Sequence, residues 1–195
     1  MGAALLPIFR DLWGILAHVL TVQMNDAAAA LLSVWTGSAP ALASQGLTAG
    51  LRDLTANGIA LLGDAVVLAD AARRLRGTGS GYFIDLTAWE CSVNSFHLED
   101  FVPVAVEILD DGEPVIAEAD QRLLLAQGLT LALHICHLGR SAEPPLQIRC
   151  IVSAGTSNGT FRFHRIRVGQ QEHHPDLDRY TLEKMIVIDT GSPSS

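Results

Sequence analysis

Cysteine is scarce in this chain: three in 195 residues, Cys91, Cys136 and Cys150, with no C-x-x-C pair. An odd count without paired spacing excludes a disulfide framework and suits buried thiols in a reducing compartment. A cytoplasmic location follows as the expectation, with secretion by a leaderless route left open. Positive charge is scarce beyond residue 76. Before it, five acids (Asp11, Asp26, Asp53, Asp64, Asp70) balance five arginines (Arg10, Arg52, Arg73, Arg74, Arg76). The remainder holds 16 of the 21 acids but only 8 of the 13 bases, which is the whole net charge of -8. A phosphate backbone repels such a surface, so nucleic acid is not an expected partner. Long uncharged runs are missing too. Residues 4–22 are the most apolar stretch near the start, yet Arg10, Asp11 and His18 interrupt it, and neither a basic n-region nor a small-residue cleavage site accompanies it. A signal peptide and a transmembrane helix are therefore not expected. Finally, there is no G-x-S-x-G, no phosphate loop and no dinucleotide fingerprint, so no cofactor is expected.

What is present is ample apolar material, 49% of the chain, enough to argue against disorder and for a real core. Leu5, Ile8, Phe9, Leu12, Ile15, Leu16, Val19 and Leu20 recur at helical spacing. Residues 27–35 continue the pattern after Asn25-Asp26, a break or an N-cap. From Pro40 to Leu75 the chain reads helical again, with Leu47, Leu51, Leu54, Ile59, Leu62 and Val66 in the stripe, and Gly46, Gly50, Gly58 and Gly63 read as points of close helix contact. Residues 77–81 are a Gly/Ser hinge. Beyond it lie five short runs rich in β-branched or aromatic residues: 82–89, 102–109, 146–153, 160–168 and 185–189. Asp110-Asp111-Gly112 and Gly155 to Gly159 read as hairpin connections. Residues 116–127 read as a helix ending at Gly128, and 129–138 fit either a strand or a helix.

The expected class is α+β: a helical hairpin at 1–76, the hinge at 77–81, a mostly antiparallel β-sheet domain with one or two short helices at 82–191, and a disordered tail at 192–195. The turn Trp35-Thr36-Gly37, with helix-compatible sequence on both sides and alanines after it, resembles the WxG helical-hairpin family of type VII secretion substrates and partners. The resemblance covers at most residues 5–75 and implies that Trp35 and Gly37 form the bend while the apolar stripes pair with another hairpin. The family's export signal, a Tyr followed four positions later by Asp or Glu, is absent: Leu86 and Lys184 stand at that offset from Tyr82 and Tyr180.

Several side chains are candidates for chemistry. His173, His174 and Asp176 lie in the densest polar run and are candidate metal ligands; an Asp176 that merely caps a turn is the plain alternative. His134 and His137 share a face only if their segment is helical. On alternation, Arg162 and His164 share one face of the strand 160–168, with Arg149 across the hairpin. That stripe would receive a carboxylate or phosphate, or else pair with Glu107, Asp110 or Glu113. Asp85, His164 and His174 are the candidate acid/base groups.

Two functions from different classes follow. In the first, the chain is a non-catalytic interaction or assembly protein. Leu12, Leu16, Leu51 and Leu54, with Trp35 and Gly37, would bind a second copy of the chain or another helical protein, because the front third carries more apolar surface than a two-helix hairpin hides. In the second, it is a small cofactor-independent enzyme or binder of cyclase or isomerase type, working on a hydrophobic molecule in a pocket lined by Trp89, Phe96, Phe161 and Phe163.

Overall fold

The computed structural model describes residues 20–33, 46–75 and 85–191. In chain order the elements are β1 (Leu20–Met24), α1 (Asp26–Ser33), α2 (Ala49–Thr55), β2 (Ile59–Leu62), β3 (Ala65–Leu68), α3 (Ala69–Arg74), α4 (Leu86–Val93) and β4 (Phe96–His97). There follow β5 (Val106–Ile108), β6 (Pro114–Ile116), the long α5 (Glu118–Arg140), β7 (Ile148–Ala154), β8 (Gly159–Arg165) and β9 (Lys184–Thr190), with short 3-10 turns at Leu98–Asp100 and Leu177–Arg179. The class is α+β.

Strict alternation along β7, β8 and β9 makes the main sheet. Ile148, Cys150, Val152 and Ala154 of β7, Phe161 and Phe163 of β8, and Ile186 and Ile188 of β9 all enter one core. Their sequence neighbours point the other way. The sheet runs β1-β9-β7-β8-β4, antiparallel throughout. Against its core face lies α5, whose Leu124, Leu125, Leu131, Ile135 and Cys136 are buried there. All three cysteines are free and buried. The outer face carries a small apolar cluster of Ile151, Leu177, Met185 and Val187, with Tyr180 packed against it.

The N-terminal helical hairpin expected from the sequence is overturned. Residues 20–24 are a strand, not the end of a helix: Leu20, Val22 and Met24 alternate with Thr21 and Gln23, and β1 pairs with β9 from Leu20↔Thr190 to Met24↔Ile186. The short α1 follows, capped as Asn25 accepts from the Ala28 N–H at 3.0 Å. Asn25 is itself held to the far end of the chain, accepting from the Met185 N–H at 3.0 Å and donating to the Glu183 carbonyl at 2.7 Å. Residues 59–68 are a β-hairpin, not helix. Two four-residue apolar runs are joined by Gly63-Asp64, and Gly63 has φ 63°, which fits a two-residue hairpin turn rather than a helix contact. The described stripe residues from Leu47 to Val66 have found their cover within the chain. Leu51 is fully buried and Leu54 packs beside it, in the same core as α5 and the sheet. Leu12, Leu16, Trp35 and Gly37 lie outside the described residues.

Two further expectations are corrected. Residues 86–93 form helix α4, because the Asp85 carboxylate accepts from the Ala88 N–H and caps a helical turn. Gly128 does not end a helix: α5 runs straight through it to Arg140. There a missing side chain lets α5 approach β7, since a Cβ on Gly128 would come within 2.3 Å of Val152 Cγ1. The strands at 148–154, 159–165 and 184–190 and the turn at Gly112 sit where alternation and turn chemistry put them. Among the described residues, no helix is long and apolar enough to cross a membrane.

Candidate functional site

The outer face of the sheet carries a polar row at one register level. His164 of β8 stands opposite Arg149 of β7, which stands opposite Asp189 of β9. Directly opposed residues on one face bring their Cβ atoms within about 5 Å, so these three side chains are neighbours by construction. Arg149 donates to both Asp189 oxygens, Nε at 2.7 Å and Nη2 at 2.6 Å, a bidentate pair. The next level down β8 holds Arg162, opposite Ile151. The chain between β8 and β9, residues 166–183, crosses this face as a strap. It delivers His173 beside the row: burial pushes the His173 imidazole below its ordinary value, and the charges acting on it include Arg149, Asp189 and His164.

His164 is the best-defined of these groups. It is 1% exposed. Its Nδ1 lies 2.9 Å from the Arg165 carbonyl oxygen. A carbonyl only accepts, so Nδ1 carries the proton and the neutral ring presents a lone pair at Nε2. Burial lowers its basicity, and the Arg149 guanidinium adds to that; the bond to Arg165 and the charges of Glu90 and Asp189 pull the other way. Among the described residues, three buried side-chain nitrogens have no hydrogen-bond partner: His164 Nε2, His173 Nδ1 and Arg162 Nε. All three belong to this one region. Native interiors leave few polar atoms unmatched, and each such atom calls for a reason.

The rim is charged and partly neutralised. Burial raises the Glu172 carboxyl above its ordinary value, Asp85 adds to that, and Arg162 opposes it. Cys91 of α4 is pushed up to about 12 by burial, with Glu172 next, so its thiol stays protonated. Glu90 of α4, fully buried, takes both guanidinium arms of Arg167 at 2.7 and 2.8 Å, and the Val66 and Arg165 N–H groups at 2.6 and 2.8 Å. Asn94 completes the anchor, donating to the Val66 and Phe163 carbonyls. These bonds fix α4 and the β2–β3 hairpin against the end of β8.

Of the sequence candidates, His164 sits at the centre of the region and Arg162 and Arg149 share its face. Asp85 caps α4 at the margin. His174 is exposed and engaged within the strap: Arg179 Nη1 donates to its Nε2 at 2.8 Å, and Nδ1 meets the Asp176 backbone. Asp176 accepts from the Asp178 N–H and caps the turn at 177–179. His173, His174 and Asp176 thus do three separate jobs, and no group of three or more His, Cys, Asp or Glu among the described residues is arranged to hold a metal. His134 and His137 do share a face of α5; burial lowers His134, and His137 adds to it. The expected aromatic lining is on the wrong side. Phe161 and Phe163 alternate with His164 and lie in the core, with Phe96 stacked on Phe161 at 5.4 Å between ring centroids. Sequence reasoning names Glu90 only as one of four acidic candidates, with Asp85, Glu99 and Asp100, and misses Asp189, Glu172 and the place of Cys91 in this region. Asp189 was within reach, since it alternates with Val187 in a recognisable strand.

A model of the Uncharacterized protein PM0498 family matches residues 36–195, a span that contains every residue of this region. No curated protein and no solved structure matches the chain.

Proposed function

The chain belongs to the Uncharacterized protein PM0498 family, and we propose that it is a small enzyme or binder of isomerase type, acting with its own acid/base side chains on a small molecule at the outer face of the C-terminal sheet. One observation carries this reading: an imidazole lone pair, His164 Nε2, is held buried and unmatched beside two more unmatched nitrogens, Arg162 Nε and His173 Nδ1. The assembly reading rested on a free-standing apolar hairpin, and the described part of that segment packs into its own chain's core, so support passes to the small-molecule reading.

The chemistry balances without a co-reactant. A C–H bond next to a carbonyl breaks, its proton going to His164 Nε2 and its electron pair onto the carbonyl oxygen. That oxygen is held by the Arg162 Nε–H. In an α-hydroxycarbonyl the hydroxyl proton then passes to that oxygen and the freed oxygen pair closes the new C=O, while the imidazolium returns its proton to the former carbonyl carbon on the C=C electron pair; the sum is an isomerisation.

The test is solvent exchange. A panel of small carbonyl compounds is incubated with the full chain in deuterium oxide, and NMR reads deuterium at the carbon beside the carbonyl. Exchange with at least one compound is expected, falling roughly 10²–10⁴-fold in His164→Gln. No exchange across the panel, together with a His164 ring signal that no compound moves, overturns the proposal.

A further inference from the structure

We infer that the polar end of the ligand is uncharged and carries a hydrogen-bond acceptor next to an O–H or N–H donor, as an amide or an α-hydroxycarbonyl does. This rests on the small-molecule reading above and narrows it. The three unmatched atoms are not equivalent. Arg162 Nε always carries a hydrogen and can only donate. His164 Nε2 can only accept while the ring is neutral, because Nδ1 is committed to the Arg165 carbonyl. His173 Nδ1 can do either, according to tautomer. A complementary group must therefore offer one acceptor and one donor side by side.

The charges around the region point the same way. Arg149 is matched by Asp189 and Arg167 by Glu90. Arg162 is the remaining guanidinium, and the carboxylates of Glu172 and Asp85 are close enough to act on its surroundings. A phosphate or a carboxylate would meet the charge of Glu172 as well as that of Arg162. It would also set an oxygen lone pair against the lone pair of His164 Nε2, and protonating that ring to relieve the clash is opposed by its burial and by Arg149. A neutral donor–acceptor group meets neither cost.

Acetamide and acetate provide the decisive comparison, since they have nearly the same shape and differ in a donor and a charge. The ring signals of His164 and His173 in the full chain are followed by NMR above neutral pH, while acetamide, acetate or inorganic phosphate is added. Acetamide is expected to move both signals at concentrations at least about tenfold below those at which either anion does, because one lost donor leaves the imidazole lone pair unpaired. Arg162→Met is expected to weaken the acetamide response by about tenfold; Arg162 is half-buried on the outer face and is not among the core residues, so this variant leaves the core untouched. Acetate or phosphate acting at lower concentration than acetamide overturns this inference and leaves the proposed function standing. No response to any probe overturns the inference, and if carbonyl exchange is also absent the proposed function falls with it.

Discussion

Glu90→Gln exchanges one oxygen of a carboxylate that solvent does not reach for an NH2 group. In the native protein each oxygen takes two hydrogen bonds. Oε1 accepts from the Val66 N–H and Arg167 Nη2, and Oε2 from the Arg165 N–H and Arg167 Nη1. Whichever way the amide turns, its NH2 faces one backbone N–H and one guanidinium N–H. Leaving a buried backbone donor unmatched costs about 1–3 kcal/mol. Arg167, with a side chain 15% exposed, also loses its counter-charge. Removing one partner of a buried ion pair costs about 3–5 kcal/mol in all. Arg167 keeps the Asp64 carbonyl at 2.8 Å, which holds the expected loss inside that range. Against a total stability of about 5–15 kcal/mol, this is a fifth or more of what the fold has. Urea denaturation followed by circular dichroism should show a lower midpoint at an unchanged slope. The double variant Glu90→Leu/Arg167→Met should recover only part of the loss, because the Val66 and Arg165 N–H groups stay unmatched. A Glu90→Gln loss below about 1 kcal/mol refutes the view that this carboxylate anchors α4 and the β2–β3 hairpin to β8.

Two other outcomes follow from packing and titration. Gly128→Ala gains about 1 kcal/mol of helix propensity but drives a Cβ to 2.3 Å from Val152 Cγ1, an overpacking cost of about 1–3 kcal/mol, so a net loss in urea denaturation is expected. Adding Val152→Ala should relieve that clash; Gly139→Ala, whose Cβ would meet Ile148 Cδ1 at 2.4 Å and the Leu146 carbonyl oxygen at 3.3 Å, should cost a similar amount. The imidazoles of His164, His173 and His134 all sit below their ordinary 6.5, so the unfolded chain binds more protons than the folded one. Their contribution is complete above about pH 6.5 and is lost as the pH falls through the folded values. Urea midpoints from about pH 7.5 to about pH 5 should therefore decline, and less steeply in His164→Phe.

The C-terminal sheet was legible because its strands carry their own period. Ile148, Cys150 and Val152 alternate with Arg149, Ile151 and Ser153, and the connections at Gly155 to Gly159 and at Gly112 carry turn chemistry. The shared face of Arg162 and His164 follows from the same rule. The front of the chain was not legible, and the reason is range. Leu20, Val22 and Met24 fit a helical stripe as well as a strand edge, and what decides between them is β9, far along the chain. The runs at 59–68 are apolar at nearly every position, so period could not separate helix from hairpin, and the glycines gave the answer through φ instead. Asp85 was read as a strand acid because Thr87 and Trp89 favour strands, yet its carboxylate caps a turn. His173 reached the candidate region only because the strap returns over the sheet, a matter of tertiary path that no local pattern encodes.

Strand β9 enters the sheet between β7 and β1. Its contacts include the Met185 N–H bond to Asn25, 160 residues away in sequence. A nascent or clipped chain that stops short of 184 would keep a bare edge on β7 and an orphan strand at β1, and Arg149 would have no carboxylate beside it. Closure of the sheet and electrostatic completion of the His164 region are thus one late event, coupled to the longest-range pairing in the fold and expected to be slow for that reason.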